Sequence, residues 1–191
     1  MKHPLATVSL IALCLIPLAG CGSGGKDTTS SSVPALPQAR DLQAMVLTSD
    51  DVNRTPANSP NRTLLTWWRA VQFRDIPAAN EAYANGVNVS DLEHQVVSLS
   101  PPLSASRPSV VDTSETGNAA KLYVIVQTLP LGATGAVRGG RTRAVETPVV
   151  FRLVKQGDAW KLADNSYIDQ RTRAQEEAAN AARAAQAGGG T

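Results

Sequence analysis

Apolar and polar residues follow four successive regimes along this chain. Residues 5–18 are a mostly apolar run behind a short polar start, Lys2 and His3. Residues 22–37 carry Gly, Ser, Thr and Pro with no apolar periodicity. From residue 61 apolar positions recur with helical spacing. After Pro101-Pro102 the period changes to two, the signature of strands.

The helical part predicts three helices. Over 61–74, Leu64, Trp67, Trp68 and Val71 form one apolar stripe, with Arg62, Arg69 and Phe73 opposite. Asp75-Ile76-Pro77 starts a second, over 77–84, with Asp75 as N-cap and Pro77 in the first turn. Ser90-Asp91-Leu92-Glu93 has the spacing of a capping box, and Leu92, Val96 and Leu99 share a face of the third. Residues 39–46 are a brief amphipathic patch that could lead in as a helix, and 48–60 read as polar and turn-like.

Four strands are expected, at 109–112, 119–129, 146–155 and 159–167, the last two joined by Gln156-Gly157-Asp158. The Gly-rich stretch 131–141 is longer than a tight hairpin needs. From 168 the Ala, Glu, Gln and Arg composition predicts a solvated helix running into a disordered end. Helices first and strands after make an α+β domain, helices on one face of an antiparallel sheet. About 130 residues suffice for one core and not for two.

The N-terminal run is too short and too punctuated, by Pro4, Pro17 and Gly20, to span a bilayer comfortably. It ends in Leu18-Ala19-Gly20-Cys21, which resembles the lipobox of bacterial lipoproteins. That resemblance implies cleavage of 1–20 as a signal peptide and a diacylglyceryl group on the sulfur of Cys21. Two acyl chains anchor stably where one does not. The expected location is the extracytoplasmic face of a cell membrane, with 21–60 as acylated cysteine and flexible tether.

The other cysteine, Cys14, lies within the signal, so the mature chain would have no disulfide, thiol nucleophile or cysteine metal site. A formal net charge of +2 argues against nucleic-acid binding. No cofactor is indicated, and the ligands for a zinc site are too few.

Two phrases then carry a second resemblance. Leu64-Leu65-Thr66-Trp67-Trp68-Arg69-Ala70 followed by Arg74-Asp75, and the run from Val149 to Lys155 followed by Trp160-Lys161-Leu162, resemble the opening and closing of the nuclear-transport-factor-2-like superfamily, nearest its SnoaL-like group. The resemblance covers 61–167 and leaves 168–191 as a tail. It implies a curled antiparallel sheet wrapped around the N-terminal helices, a cystatin-like cone with an apolar cavity. Family members include small-molecule isomerases, dehydratases and hydrolases, ligand or protein binders, and dimers formed through the sheet. Fold therefore does not choose function.

Family enzymes place an aspartate with a tyrosine or histidine in the cone. His94, the histidine that stays after cleavage, falls opposite the Leu92/Val96/Leu99 stripe and should face solvent. Asp112, Tyr123, Asp164 and Tyr167 are the polar candidates on expected strands. Alternation of Trp160, Leu162, Asp164 and Ser166 would point Asp164 inward. Its bland reading is a hydrogen-bonded loop-edge aspartate. Trp67, Trp68, Val71, Trp160 and Leu162 are core residues first, and candidate lining of a ligand pocket second. Arg138, Arg141 and Arg143 flank Gly139-Gly140 as a solvated loop, or as a contact to anionic headgroups.

The reading that follows is a membrane-anchored, non-catalytic module that binds an apolar small molecule or an envelope protein. The alternatives are an isomerase-like enzyme using Asp164 with Tyr123 or Tyr167, and an accessory subunit docking through its tail.

Overall fold

The computed structural model describes residues 39–99, 103–130, 137–138 and 141–188. The signal, Cys21, most of the tether, Pro101-Pro102, most of the Gly-rich stretch and the last three residues, Gly189 to Thr191, lie outside the described residues. No described helix is long and apolar enough to cross a membrane.

The helices described ahead of the sheet include α1 (Ala39–Met45), α2 (Ser49–Asn53), α3 (Pro60–Phe73), α4 (Ile76–Glu81) and α5 (Leu92–Ser98). Ser59 starts α3, its hydroxyl accepting from the Arg62 N–H at 3.2 Å, with Pro60 at the first helical position. Arg74 ends it in the left-handed region (φ 57°), and Asp75 then caps α4 by accepting from the Ala78 N–H. The stripe Leu64, Trp67, Trp68, Val71 is buried, while Arg69 lies over the exposed Phe73 ring on the other side.

The capping box expected at 90–93 does not form. Asp91 is the N-cap of α5 without a side-chain bond, and the Ser90 N–H donates to Asn88 instead. A reciprocal box forms earlier, where Thr48 and Asp51 cap α2.

This earlier cap belongs to a larger correction. Residues 39–53, assigned to the tether by composition, are part of the domain. Leu47 is 1% exposed and Val52 is buried. Gln72 of α3 accepts from the Leu47 N–H and donates to the Met45 and Ser106 carbonyls, while Arg107 pairs with Asp51 at 2.9 Å.

The sheet is four-stranded and antiparallel, in the order β1 (Ser106–Thr116), β2 (Ala119–Thr128), β5 (Val145–Gln156), β6 (Ala159–Leu162). The two-residue strands β3 (Val137–Arg138) and β4 (Arg141–Thr142) pair separately. Gly117 (φ 58°) and Gly157 (φ 62°) turn the two tight hairpins, a conformation that favours glycine. A register shift between Val110 and Asp112 marks a bulge in β1, a device that bends a strand. The first strand is much longer than its predicted 109–112, because ladder bonds to β2 override the weak strand preference of its Ser, Asp and Glu residues.

The last strand is shorter than expected. β6 ends at Leu162; the Ala163 N–H still donates to the Arg152 carbonyl, and the chain then turns into α6 (Ser166–Gly188). The alternation carried through Asp164 and Ser166 thus breaks after Leu162, and Tyr167 is helical. Ile168 is fully buried, so the domain extends past the expected boundary at 167 into what was assigned to the tail.

Leu122, Val124, Val126, Phe151, Leu153, Trp160 and Leu162 form the inner sheet face. Against them pack the α3 stripe, Leu92 and Val96 of α5, and Tyr167 and Ile168 of α6. The molecule is α+β, as the order of elements predicts.

Candidate functional site

Trp67 stands at the centre of the space between α3 and the sheet. Its ring centroid is 5.8 Å from Trp68, 6.1 Å from Tyr83, 5.9 Å from Phe151 and 6.4 Å from Tyr167, each contact edge-on. The Trp68 indole N–H donates to the Ser106 carbonyl, which locks the ring. Trp67, Trp68, Val71 and Leu162 are therefore packed core. Trp160 is also mostly buried, but its edge borders a surface groove of about 480 Å³ with Arg62, Thr63, Glu81 and Lys161.

The three candidate catalytic residues are not brought together. Tyr123 lies on the outer face of β2, opposite Val150 and Asp112, and is 40% exposed. Tyr167 points into the aromatic core. Asp164 sits in the loop before α6. Its carboxylate accepts from the Ser166 N–H and hydroxyl and pairs with Arg152 at 3.3 Å. Burial works against its charge, but the Ser166 bonds and the Arg152 guanidinium outweigh that and hold the carboxyl below its ordinary value. Such a group stays ionised, whereas a general acid or base working near neutral pH needs a raised carboxyl pKa. His94 and Asp112 are exposed.

Among the described residues, no cluster of three or more His, Cys, Asp or Glu side chains could hold a metal. A buried polar network does exist: Tyr83 Oη donates to Asn165 Oδ1 at 2.6 Å, and the Asn165 amide and Gln95 amide both donate to Asp169 Oδ1. Burial pushes the Tyr83 phenol well up. Its partners are all satisfied within the fold, so it fastens the start of α6 to α5.

The sequence alone does not single out which residues form the outer face of the sheet. Tyr123 pairs with Val150 and Ile125 with Pro148, one row beside the other, and the bulged Val111 adds a further exposed apolar group. The signal was legible in Val149-Val150-Phe151. An unbroken apolar run in a strand reads as apolar on both faces, not on one.

No protein-family model matches the sequence, and no curated protein matches it. Solved structures do resemble it. A ketosteroid-isomerase-like protein from Shewanella frigidimarina is 16% identical, the match covering 56% of this chain and 92% of that one, with a TM-score of 0.43. A protein of unknown function with a cystatin-like fold from Nostoc punctiforme is 11% identical over 63% of this chain and 91% of its own, at 0.43. A nuclear-transport-factor-2-like protein of unknown function from Pseudomonas putida is 13% identical over 55% and 79%, at 0.38.

Proposed function

We propose that this chain is a lipid-anchored extracytoplasmic module that works by docking a protein partner on the outer face of its sheet. The observation behind it is the row of exposed Tyr123, Val150 and Pro148 with half-buried Ile125 on β2 and β5, opposite an inner face already filled by aromatic rings. A solvent-facing tyrosine with apolar neighbours is the composition of an interface centre. The anchoring half of the reading is supported by the lipobox-like Leu18-Ala19-Gly20-Cys21. Partners in this reading are the membrane, through Cys21, and an envelope protein or a second copy of the chain at the sheet.

Two measurements test it separately. Labelled fatty acid should enter the full chain expressed in a bacterium and be lost in Cys21→Ala; equal labelling of both would remove the anchor. A photo-cross-linking residue at position 123 should trap one discrete protein adduct, while the same residue at exposed position 93 should not. Adducts of equal yield at both positions, or turnover of a small substrate by the purified protein, would overturn the docking reading.

A further inference from the structure

β6 pairs with β5 only between Leu153 and Gln156, so the 145–152 half of β5 has no strand on that side among the described residues. The first turns of α6 lie across this gap. Between them is a cleft of about 310 Å³. Thr147, Pro148 and Val150 line one wall, Tyr167 and Arg171 the other, with Arg152 at the rim.

Two groups in the α6 wall are incomplete. Tyr167 is 7% exposed, yet its Oη has no hydrogen-bond partner among the described residues, and neither has the buried Nε of Arg171. Arg171 makes none of the ion pairs found among the described residues. A buried donor left unpaired forfeits its water without replacement, and a partly buried cation without a counter-charge does so at greater cost. Folded proteins tolerate few such groups, and each asks for an explanation.

These two share a need. Arg171 is always charged and can only donate. Burial pushes the Tyr167 phenol up to about 12, with Arg171 opposing, so at neutral pH it too carries a proton to donate. Both are completed by one oxygen-rich anion. Arg152, though already paired with Asp164, adds positive charge at the mouth. The rest of the lining sets the apolar Pro148, Val149 and Val150 beside the polar Thr147, Ser166 and Gln170.

We infer that this cleft binds a small organic anion, a carboxylate or phosphate head meeting Tyr167 and Arg171 and an apolar body lying against Pro148 and Val150. The volume lies at the small end for ligand sites, which suits a single ring or a short chain. The cleft shares Pro148 and Val150 with the docking row but needs neither a protein partner nor the anchor, and its test reads small-anion binding alone.

Titration of the full chain with benzoate, phenyl phosphate and benzyl alcohol, followed by amide NMR shifts, tests it. The three share a ring and differ in the head. At least one anion should bind saturably and move the amides of residues 147, 149, 150, 167 and 171, and the tighter of the two identifies the head as carboxylate or phosphate. Benzyl alcohol should bind about tenfold more weakly or worse, as should the better anion to Arg171→Gln. Arg173→Gln, on the exposed side of α6, should bind normally. Tyr167→Phe keeps the ring packing and so reads the site even where Arg171→Gln weakens the fold: it should bind less tightly while melting no lower than the parent, since the lost hydroxyl had no partner. Absence of saturable binding by either anion, equal binding of benzyl alcohol, or undiminished binding in Arg171→Gln or in Tyr167→Phe would overturn the assignment.

Discussion

Tyr83 and Asn165 are 82 residues apart in sequence and joined by a 2.6 Å hydrogen bond in a buried site. The same asparagine donates to Gln95 and Asp169, so one side chain ties the end of the helical half to the start of α6. Asn165→Ala should strip partners from three groups at once and cost about 1–3 kcal/mol, read from urea unfolding. Tyr83→Phe should cost less. Asn165→Ala matching wild type would show that the network adds no stability.

Trp67→Ala removes the ring that four other aromatics meet edge-on. A loss of about 3–5 kcal/mol is expected, with collapse of the near-ultraviolet circular dichroism that the cluster produces. Trp67→Phe should retain part of both. A mild effect of the alanine variant would mean the site is not close-packed.

Asp164 has its folded pKa below the unfolded value of 3.8. A depressed carboxyl contributes stability that is fully present above the unfolded value and is lost as pH falls through the lower folded one. Asp164→Asn should therefore melt lower than wild type at neutral pH, and the gap should close as pH drops from about 4. Melting curves across that range check it. A gap independent of pH would remove the charge from the explanation.

Residues 39–53 should behave as domain and not as tether. Deleting 1–38 should leave the melting temperature unchanged, whereas deleting 1–53 should lower it by removing Leu47 and the Gln72 bonds. The point variant Leu47→Ala should cost about 2–5 kcal/mol. Equal melting of the two truncations would return this segment to the tether.

On the outer face, Val150→Asp should change stability by no more than about 0.5 kcal/mol, as exposed positions do. It should nevertheless abolish the adduct formed from position 123. Retention of the adduct would move the docking surface elsewhere.

The legible parts of this fold were those where several neighbouring residues repeat one message. Leu64, Trp67, Trp68 and Val71 announce α3 together, and Gly157-Asp158 announces a hairpin between two apolar runs. Isolated contacts stayed hidden. Leu47 closes the short apolar run Met45-Val46-Leu47 at the edge of a polar stretch, too brief to announce core, and its contact with the distant Gln72 appears only in the fold. The last strand misled because Asp164 and Ser166 continue the alternation of Trp160 and Leu162, while the backbone turns at Ala163 to enter α6. The candidate site suffered from the same break: strand phase points Asp164 inward and the family resemblance joins it to Tyr123 or Tyr167, whereas the three occupy a loop, an outer face and the core. Unpaired donors such as Tyr167 Oη and Arg171 Nε have no sequence signature at all, since they are defined by what surrounds them.

The clasp that Gln72 and Arg107 place on residues 44–51 also sets how the molecule meets a mechanical load. Tension arriving from the N-terminal side reaches Met45 and Leu47 before it reaches the sheet, and four hydrogen bonds and one ion pair resist it there. The long ladders of β1 with β2 and β2 with β5 lie behind that latch. Pulled from residue 39, the domain should yield in two steps, a short extension as the clasp peels and a larger one as the sheet opens; a single rupture in an optical trap would show that the latch and the sheet fail as one. Until the clasp gives, the ladders that shape the outer face are spared the strain.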